Sequence, residues 1–414
     1  MTTRRWAILV GGILLGAGLL WLAFYEPIEE GRCRLIRKKA DPENPLVGLA
    51  IQLVDPLDHK PHDVQDLSPG FARPCYHQIK SGGRLISMVV DLSDSPRLCL
   101  DTDADGVLSE EHCFPADMSD GAWQFGPIPP IGGAGSGSAD GRFYVRCSRP
   151  NAPSTLLTRP ASFRTGRLRL DGETHRVAVA DGDYDGAFRS ILSLPLDRPE
   201  RLPASDVFGI DLNHNGTFEI SLGGQSEVMP LGRLVKIRDA YYALDVAPDG
   251  TSLALSRTEP QLGTLAIEPN DVAVALRLWS DAAEQCLAQG RTWQLPAGKY
   301  KAIHATLTKT DTSGHVWTVS SNTSSRFTRL GPLEYFTIEP GITTSIRIGP
   351  PFVLKTDVVQ TAAAQVSIGM VLIGCAGEEY WGIQQQEQRR PSPPALRIVD
   401  EKGTVLETGT FEYG

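Results

Sequence analysis

Short runs in which apolar and polar residues alternate, each bounded by turn-forming residues, fill the chain beyond its first apolar stretch. A period of two puts every second side chain on one face, which describes a half-buried strand rather than a helix. Three segments show it most clearly. Residues 167–179, RLRLDGETHRVAV, alternate on both sides of Asp171-Gly172, a pair suited to a type I′ turn. Residues 241–255, YYALDVAPDGTSLAL, repeat the pattern around Pro248-Asp249-Gly250. Residues 396–411, LRIVDEKGTVLETGTF, do so around Glu401-Lys402-Gly403. Beyond the N-terminal apolar run no long stretch keeps a helical period, and the best candidate, residues 281–288, is short. The expected fold class is therefore mostly β and multi-domain, with antiparallel sheets and β-sandwiches after one N-terminal transmembrane helix.

That helix is read from residues 6–24, WAILVGGILLGAGLLWLAF, which carry no charge. At ~1.5 Å per residue they suffice to cross ~30 Å of hydrocarbon. Trp6, Trp21 and Tyr25 lie near the ends of the run, where aromatic rings favour the interface. A cleaved signal would carry a shorter apolar part and a small-x-small site, whereas Leu-Ala-Phe-Tyr-Glu-Pro follows here. An uncleaved anchor is expected, so the membrane is a partner through this helix.

A chain of 414 residues is too long for one core and predicts roughly two to four domains. The expected division is an anchor over 1–25, a charged stalk over 26–45, and β-rich domains over 46–160 and 161–260. β-Sandwiches over 261–349 and 350–414 complete it. Residues 131–142, IGGAGSGSADGR, read as a flexible loop, and residues 388–394, QRRPSPP, as a polar connector. The formal charge of -9 gives no clustered basic face, so no nucleic-acid partner is expected. Seven cysteines are scattered without a CxxC or a zinc spacing. The odd number leaves one thiol free or paired between chains. Cys99 and Cys113 flank an acidic loop and are the pair expected to form a disulfide.

Three acidic loops carry the chemical signal. Calcium takes several oxygen ligands at ~2.4 Å, which acids at loop positions 1, 3 and 5 supply around a Gly at position 6. Asp101, Asp103 and Asp105 precede Gly106 in this way, with the Val107 carbonyl at position 7 and Ser109 at position 9. Position 12 is His112 in place of an acid, so Glu111 or Glu110 would have to close the site. Asp181, Asp183 and Asp185 precede Gly186, but Arg189 and Leu192 stand at positions 9 and 12. Asp211, Asn213 and Asn215 precede Gly216, with Glu219 at position 9. These residues are the expected calcium ligands, and the Asp101 loop the expected primary site. Asp, Asn and Gly are also ordinary turn formers, so each loop has a metal-free alternative.

A search for catalytic signatures finds no HExxH, GxSxG, P-loop or dinucleotide fingerprint. His59 and His62 lie among Asp58 and Asp63 in what reads as a solvated loop. Cys75 and His77 share a face if extended and offer a thiolate–imidazole pair only in a suitable environment.

Residues 293–300, WQLPAGKY, lead into the apolar run AIHATL. They resemble the strand-entry motif of bacterial surface β-sandwiches related to the carboxypeptidase regulatory domain. Residues 336–349, FTIEPGITTSIRIG, are similar to the closing hairpin of such a module. Residues 210–218 and 246–255 resemble the "VDxNxDGxF" loop and "VAPDGSSLxL" hairpin of a family of uncharacterised bacterial envelope proteins. That resemblance runs best from about residue 165 to the end. It implies no activity; it supports a calcium reading most directly at Asp211, Asn213 and Asn215. Arg4 and Arg5 before the apolar run favour an inside N-terminus, while Arg32, Arg34, Arg37, Lys38 and Lys39 after it favour the reverse. The resemblance and the calcium-type loops place the body outside. The expected protein is thus a single-pass inner-membrane protein with a periplasmic or extracellular body. Its expected role is structural or binding, with calcium-stabilised loops and no catalysis, and an envelope protein or glycan as partner. The alternative is a hydrolase whose site assembles from scattered residues.

Overall fold

A computed structural model describes residues 29–40, 44–61, 71–101, 113–119, 121–131, 142–148, 155–194, 204–220, 225–268, 272–282, 284–322, 329–362, 365–380, 382–385 and 392–411. Residues 6–24, Asp103, Asp105, Val107, Ser109, Glu111 and most of the 131–142 and 388–394 segments lie outside them. Among the described residues no helix is long and apolar enough to cross a membrane.

The described chain is mostly β, organised in several sheets. Strand pairs are antiparallel except that Leu262–Glu268 runs parallel to Thr343–Arg347. All three hairpins form where the alternation places them. Ser162–Leu170 and Glu173–Ala180 pair across Asp171 (φ 49°) and Gly172 (φ 84°), so both turn residues take the positive φ that a type I′ turn requires. Ala240–Val246 pairs with Ser252–Thr258, and Ala395–Val399 with Val405–Thr410.

The first large sheet has nine strands, and its two edges, Gln52–Val54 and Pro56–Leu57, are one stretch of chain interrupted at Asp55. Gln52–Val54 pairs with Leu156–Pro160, and Pro56–Leu57 pairs with Pro74–Ser81. The sheet therefore closes on itself into a barrel, which removes its free edges. Alternate side chains fill the interior, including Ile79, Met88, Val90, Leu98, Phe125, Phe143 and Val145. Cys99 and Cys113 face each other across two neighbouring barrel strands and form the expected disulfide, with Cα atoms 4.0 Å apart.

A five-stranded sheet, in the order Val228–Pro230, Val207–Ile210, Glu173–Ala180, Ser162–Leu170, Ile36–Lys39, is covered on both faces. One face contributes Leu168, Val177, Val179, Phe208 and Ile210 to a core shared with Val235, Tyr242, Leu253 and Leu255 of a four-stranded sheet. The other face packs Ala178, Ala180 and Val207 against Leu46, Val47 and Leu49 of the short helix Pro45–Leu49. Burial on both sides explains why all four residues of Val207–Ile210 are buried instead of alternating. At Gly209 a Cβ would meet Leu46 Cδ1 at 2.9 Å, so the helix packs closely over this glycine.

Three expectations need correction. The segment read as a charged stalk supplies edge strands: Arg32–Arg34 pairs with Ser252–Thr258, and Ile36–Lys39 with Ser162–Leu170. Lys and Arg are at home on solvated edges, where they block further pairing. The helical candidate at 281–288 forms no helix among its described residues, and its second half is extended, because Gln285–Gly290 pairs with Ala273–Ser280. Strand pairing also crosses the expected boundary near residue 350. Gly382–Gln385 pairs with Val316–Asn322 in a six-stranded sheet, and Tyr380 lies in the same core as Leu276, Tyr300 and Leu307.

A candidate cation centre between two cores

The strand Glu173–Ala180 ends at Asp181, where the chain turns sharply. Asp181 makes the turn itself: its carboxylate accepts from the backbone N–H of Tyr184 (2.6 Å) and of Gly186 (2.9 Å). Tyr184 (φ 60°) and Gly186 (φ 81°) take left-handed backbone conformations. Asp185 Oδ1 accepts from Ala187 N at 2.7 Å. Gly182 has no alternative, since a Cβ there would lie 2.1 Å from the Ser205 carbonyl oxygen.

Strand register adds a fourth carboxylate that inspection of the sequence motif misses. Ala180 pairs with Val207, so Asp206 stands beside the start of the loop. Its two oxygens accept from Gly182 N (3.1 Å) and Ser190 N (2.8 Å). Asp183 Oδ2 accepts from Ser190 Oγ (2.7 Å) and from Gly82 N (3.2 Å) in a hairpin turn of the barrel. Asp183 Oδ1 is buried without a hydrogen-bond partner. Asp181, Asp183 and Asp185 each offer an oxygen, all within 4.8 Å of one another.

Asp181, Asp183 and Asp206 are almost fully buried. Among the described residues no cationic side chain pairs with any of the four. Burial, then repulsion from Asp183 and Asp185, holds the Asp181 carboxyl well above the usual range. Burial and then Asp185 push Asp183 up to about 6. Burial, then Asp181 and Asp183, hold the Asp206 carboxyl well above its ordinary range. Buried like charges of this kind favour either protonation or a bound cation. Arg189, which the motif alignment put at a ligand position, is exposed, and Ser190 faces the centre in its place. Leu192 at position 12 is buried among apolar neighbours. The donor set is all oxygen, which suits a hard divalent cation such as calcium and not a soft one.

The other two loops differ. Of the first, only Asp101 is described; it is buried, and its N–H donates to Ser87 O. The Asp211 loop repeats the local turn: Gly216 N donates to Asp211 Oδ2 at 2.9 Å, and His214 and Gly216 have positive φ. Asp211 Oδ1 is buried without a hydrogen-bond partner, while the loop's Asn and Glu219 oxygens are committed within it. Asn213 Oδ1 accepts from Asn215 N, Asn215 Oδ1 accepts from Thr217 N, and Glu219 accepts from both Asn side chains. Buried Glu227 accepts from Leu212 N, Asn213 N and Glu219 N. Arg176 donates to the Gly216 carbonyl, so this loop already holds a cation. Carboxylates converge at the Asp181 loop; at the Asp211 loop they are separated and braced.

Cys75 and His77 do meet, with Sγ and Nε2 3.4 Å apart inside the barrel. Burial raises the thiol above its ordinary value and pushes His77 down to about 4. Both are neutral at pH 7, the opposite of an activated thiolate–imidazole pair.

No protein-family model, curated protein or solved structure matches this chain. The fold and the centre define the protein as a mostly β, multi-sheet chain with an oxygen-lined acidic centre. The functional reading rests on that centre.

Proposed function

We propose that the chain is a membrane-anchored, extracytoplasmic structural or binding protein whose first two β units are held together by calcium. The ion would be bound by Asp181, Asp183 and Asp185, with Asp206 adding charge. The observation that carries the reading is the buried, unpartnered Oδ1 of Asp183 among three further carboxylates, with no cationic side chain paired to them among the described residues. A buried ionised oxygen without a partner is costly, and a divalent ion removes that cost. The location supports a bracing role. Gly82 N reaches Asp183 from the barrel, and Gln52 Nε2 donates to Gly182 O at 2.8 Å. An ion here would order the loop that joins the barrel to the five-stranded sheet.

Residues 6–24 support anchoring, and the Cys99–Cys113 bond supports an oxidising compartment outside the cytoplasm. The resemblance to envelope proteins supports an envelope protein or glycan as partner. The neutral, buried Cys75 and His77 do not offer an activated thiolate–imidazole pair to the hydrolase alternative.

The test is thermal melting of the full chain in millimolar calcium and in chelator, beside Asp183→Asn. Calcium should raise the melting temperature of the wild type and leave the variant unchanged. Superimposable wild-type curves would remove the calcium reading.

A further inference from the structure

The opposite end of the same strand carries a second cluster with different donor atoms. Glu173 and His175 alternate along Glu173–Ala180, and His214 comes from the Asp211 loop. We propose that Glu173 Oε2, His175 Nε2 and His214 Nε2 form a binding site for a divalent transition metal of the zinc, cobalt or nickel class, distinct from the oxygen-lined centre.

Three observations support it. First, the three donor atoms converge. His214 Nε2 lies 3.6 Å and His175 Nε2 3.9 Å from Glu173 Oε2, and all three fall within 4.8 Å of one another. Metal–donor bonds of ~2.0–2.1 Å in a tetrahedron put neighbouring donors roughly 3.4 Å apart, so closing the site draws the two imidazoles and the carboxylate inward by side-chain movement, on the order of an ångström at most. Second, His175 is buried and its Nδ1 lies 3.1 Å from the Asp211 carbonyl oxygen. A carbonyl only accepts, so Nδ1 carries the proton and Nε2 presents its lone pair to the cluster. That hydrogen bond is the orienting contact metal-binding histidines ordinarily have. Third, the His175 and His214 rings stack with centroids 4.8 Å apart and 27° between planes, which brings both edges to the same carboxylate. His214 and Glu173 are partly exposed, so the site opens to solvent and leaves a coordination position for water.

Arg238 Nη2 donates to the same Glu173 Oε2 at 2.6 Å. The guanidinium holds the carboxyl below its ordinary range, but it also occupies the oxygen the metal would use. A metal must displace it, so Arg238 opposes binding.

The experiment titrates zinc(II), then cobalt(II), into the full chain in millimolar calcium, against a competing chromophoric chelator. Asn accepts positive φ, so His214→Asn preserves the turn. Loss of one imidazole should weaken zinc binding roughly tenfold or more and bleach the cobalt visible band, with the calcium-dependent melting shift intact. Arg238→Ala should strengthen zinc binding. The cobalt spectrum should lack a sulfur charge-transfer band, separating this site from the free thiols. Zinc affinity unchanged by His214→Asn, or a thiolate band in the wild-type spectrum, would overturn the assignment.

Discussion

Tyr184 and Phe188, four residues apart in one loop, are buried in two different hydrophobic cores. Tyr184 enters the barrel and stacks on Phe143 with centroids 4.6 Å apart. Phe188 joins the core between the five- and four-stranded sheets. Asp185 lies between these two anchors, and Asp181 and Asp183 immediately precede the first. The centre is therefore positioned by both cores at once, and order in the loop is order in the junction.

The Tyr184 hydroxyl tests that coupling. It donates to the Ala50 carbonyl at 2.7 Å and accepts from Thr158 Oγ1 at 3.0 Å. Tyr184→Phe keeps the ring and leaves the buried Ala50 carbonyl without its donor, while Thr158 Oγ1 keeps the Gln52 carbonyl at 3.2 Å, at a cost of about 1–3 kcal/mol. Denaturant unfolding should show that loss, and the calcium midpoint should move to higher concentration as the loop loosens. A variant equal to wild type in both would mean the hydroxyl is solvated.

Asp183→Asn should have opposite effects with and without metal. In chelator the change removes one of the repelling buried charges, so the variant should melt higher than the wild type. In calcium the order should reverse. A ligand at a hundredfold excess over its Kd stabilises by about 2.7 kcal/mol, and the variant forgoes most of this. Calcium must also displace protons from carboxyls whose values burial has raised, so the wild-type shift should be larger at pH 8 than at pH 5. Calorimetric scans of both proteins check each sign.

His77 should make the barrel acid-sensitive. Burial lowers its folded value from 6.5 to about 4, against opposing contributions from the backbone of Asp55 and Val54. The folded state therefore binds the proton less readily than the unfolded state does. This contribution is fully present above pH 6.5 and is lost as pH falls from there through about 4. The difference is worth about 3 kcal/mol. Unfolding free energies measured across that window should fall more steeply for the wild type than for His77→Gln. Parallel slopes would show the imidazole to be solvated.

The Cys99–Cys113 bond can be counted chemically. Denatured, unreduced protein should expose five thiols, those of Cys33, Cys75, Cys147, Cys286 and Cys375, and reduction should expose seven. Closing a loop with a sequence separation of 14 is worth about 3 kcal/mol in the chain-entropy model, so Cys99→Ser with Cys113→Ser should lower stability by about that much. Seven thiols without reductant would refute the pairing.

What the sequence determined by itself is local. Asp171-Gly172 set a two-residue hairpin, and period-two alternation marked its flanking strands, because neighbouring residues alone decide φ signs and side-chain faces. The acidic motifs likewise specified their turns: Asp181 with Gly186 and Asp211 with Gly216 make the same hydrogen bond. Tertiary structure decided which turn became a centre. Asp206 joins Asp181 through the register of Ala180 with Val207, and Arg176 comes to the Asp211 loop because Asp211 N donates to the Arg176 carbonyl. Barrel closure was equally hidden, since nothing near Asp55 announces that residues 52–57 supply both edges of one sheet. Residues 285–288 became extended for the same reason: Gln285–Gly290 answers to its pairing partner, not to its own composition. Cross-strand pairing joins residues tens of positions apart, and an electrostatic environment is the sum of whatever pairing brings together. Neither is written in any local stretch of chain.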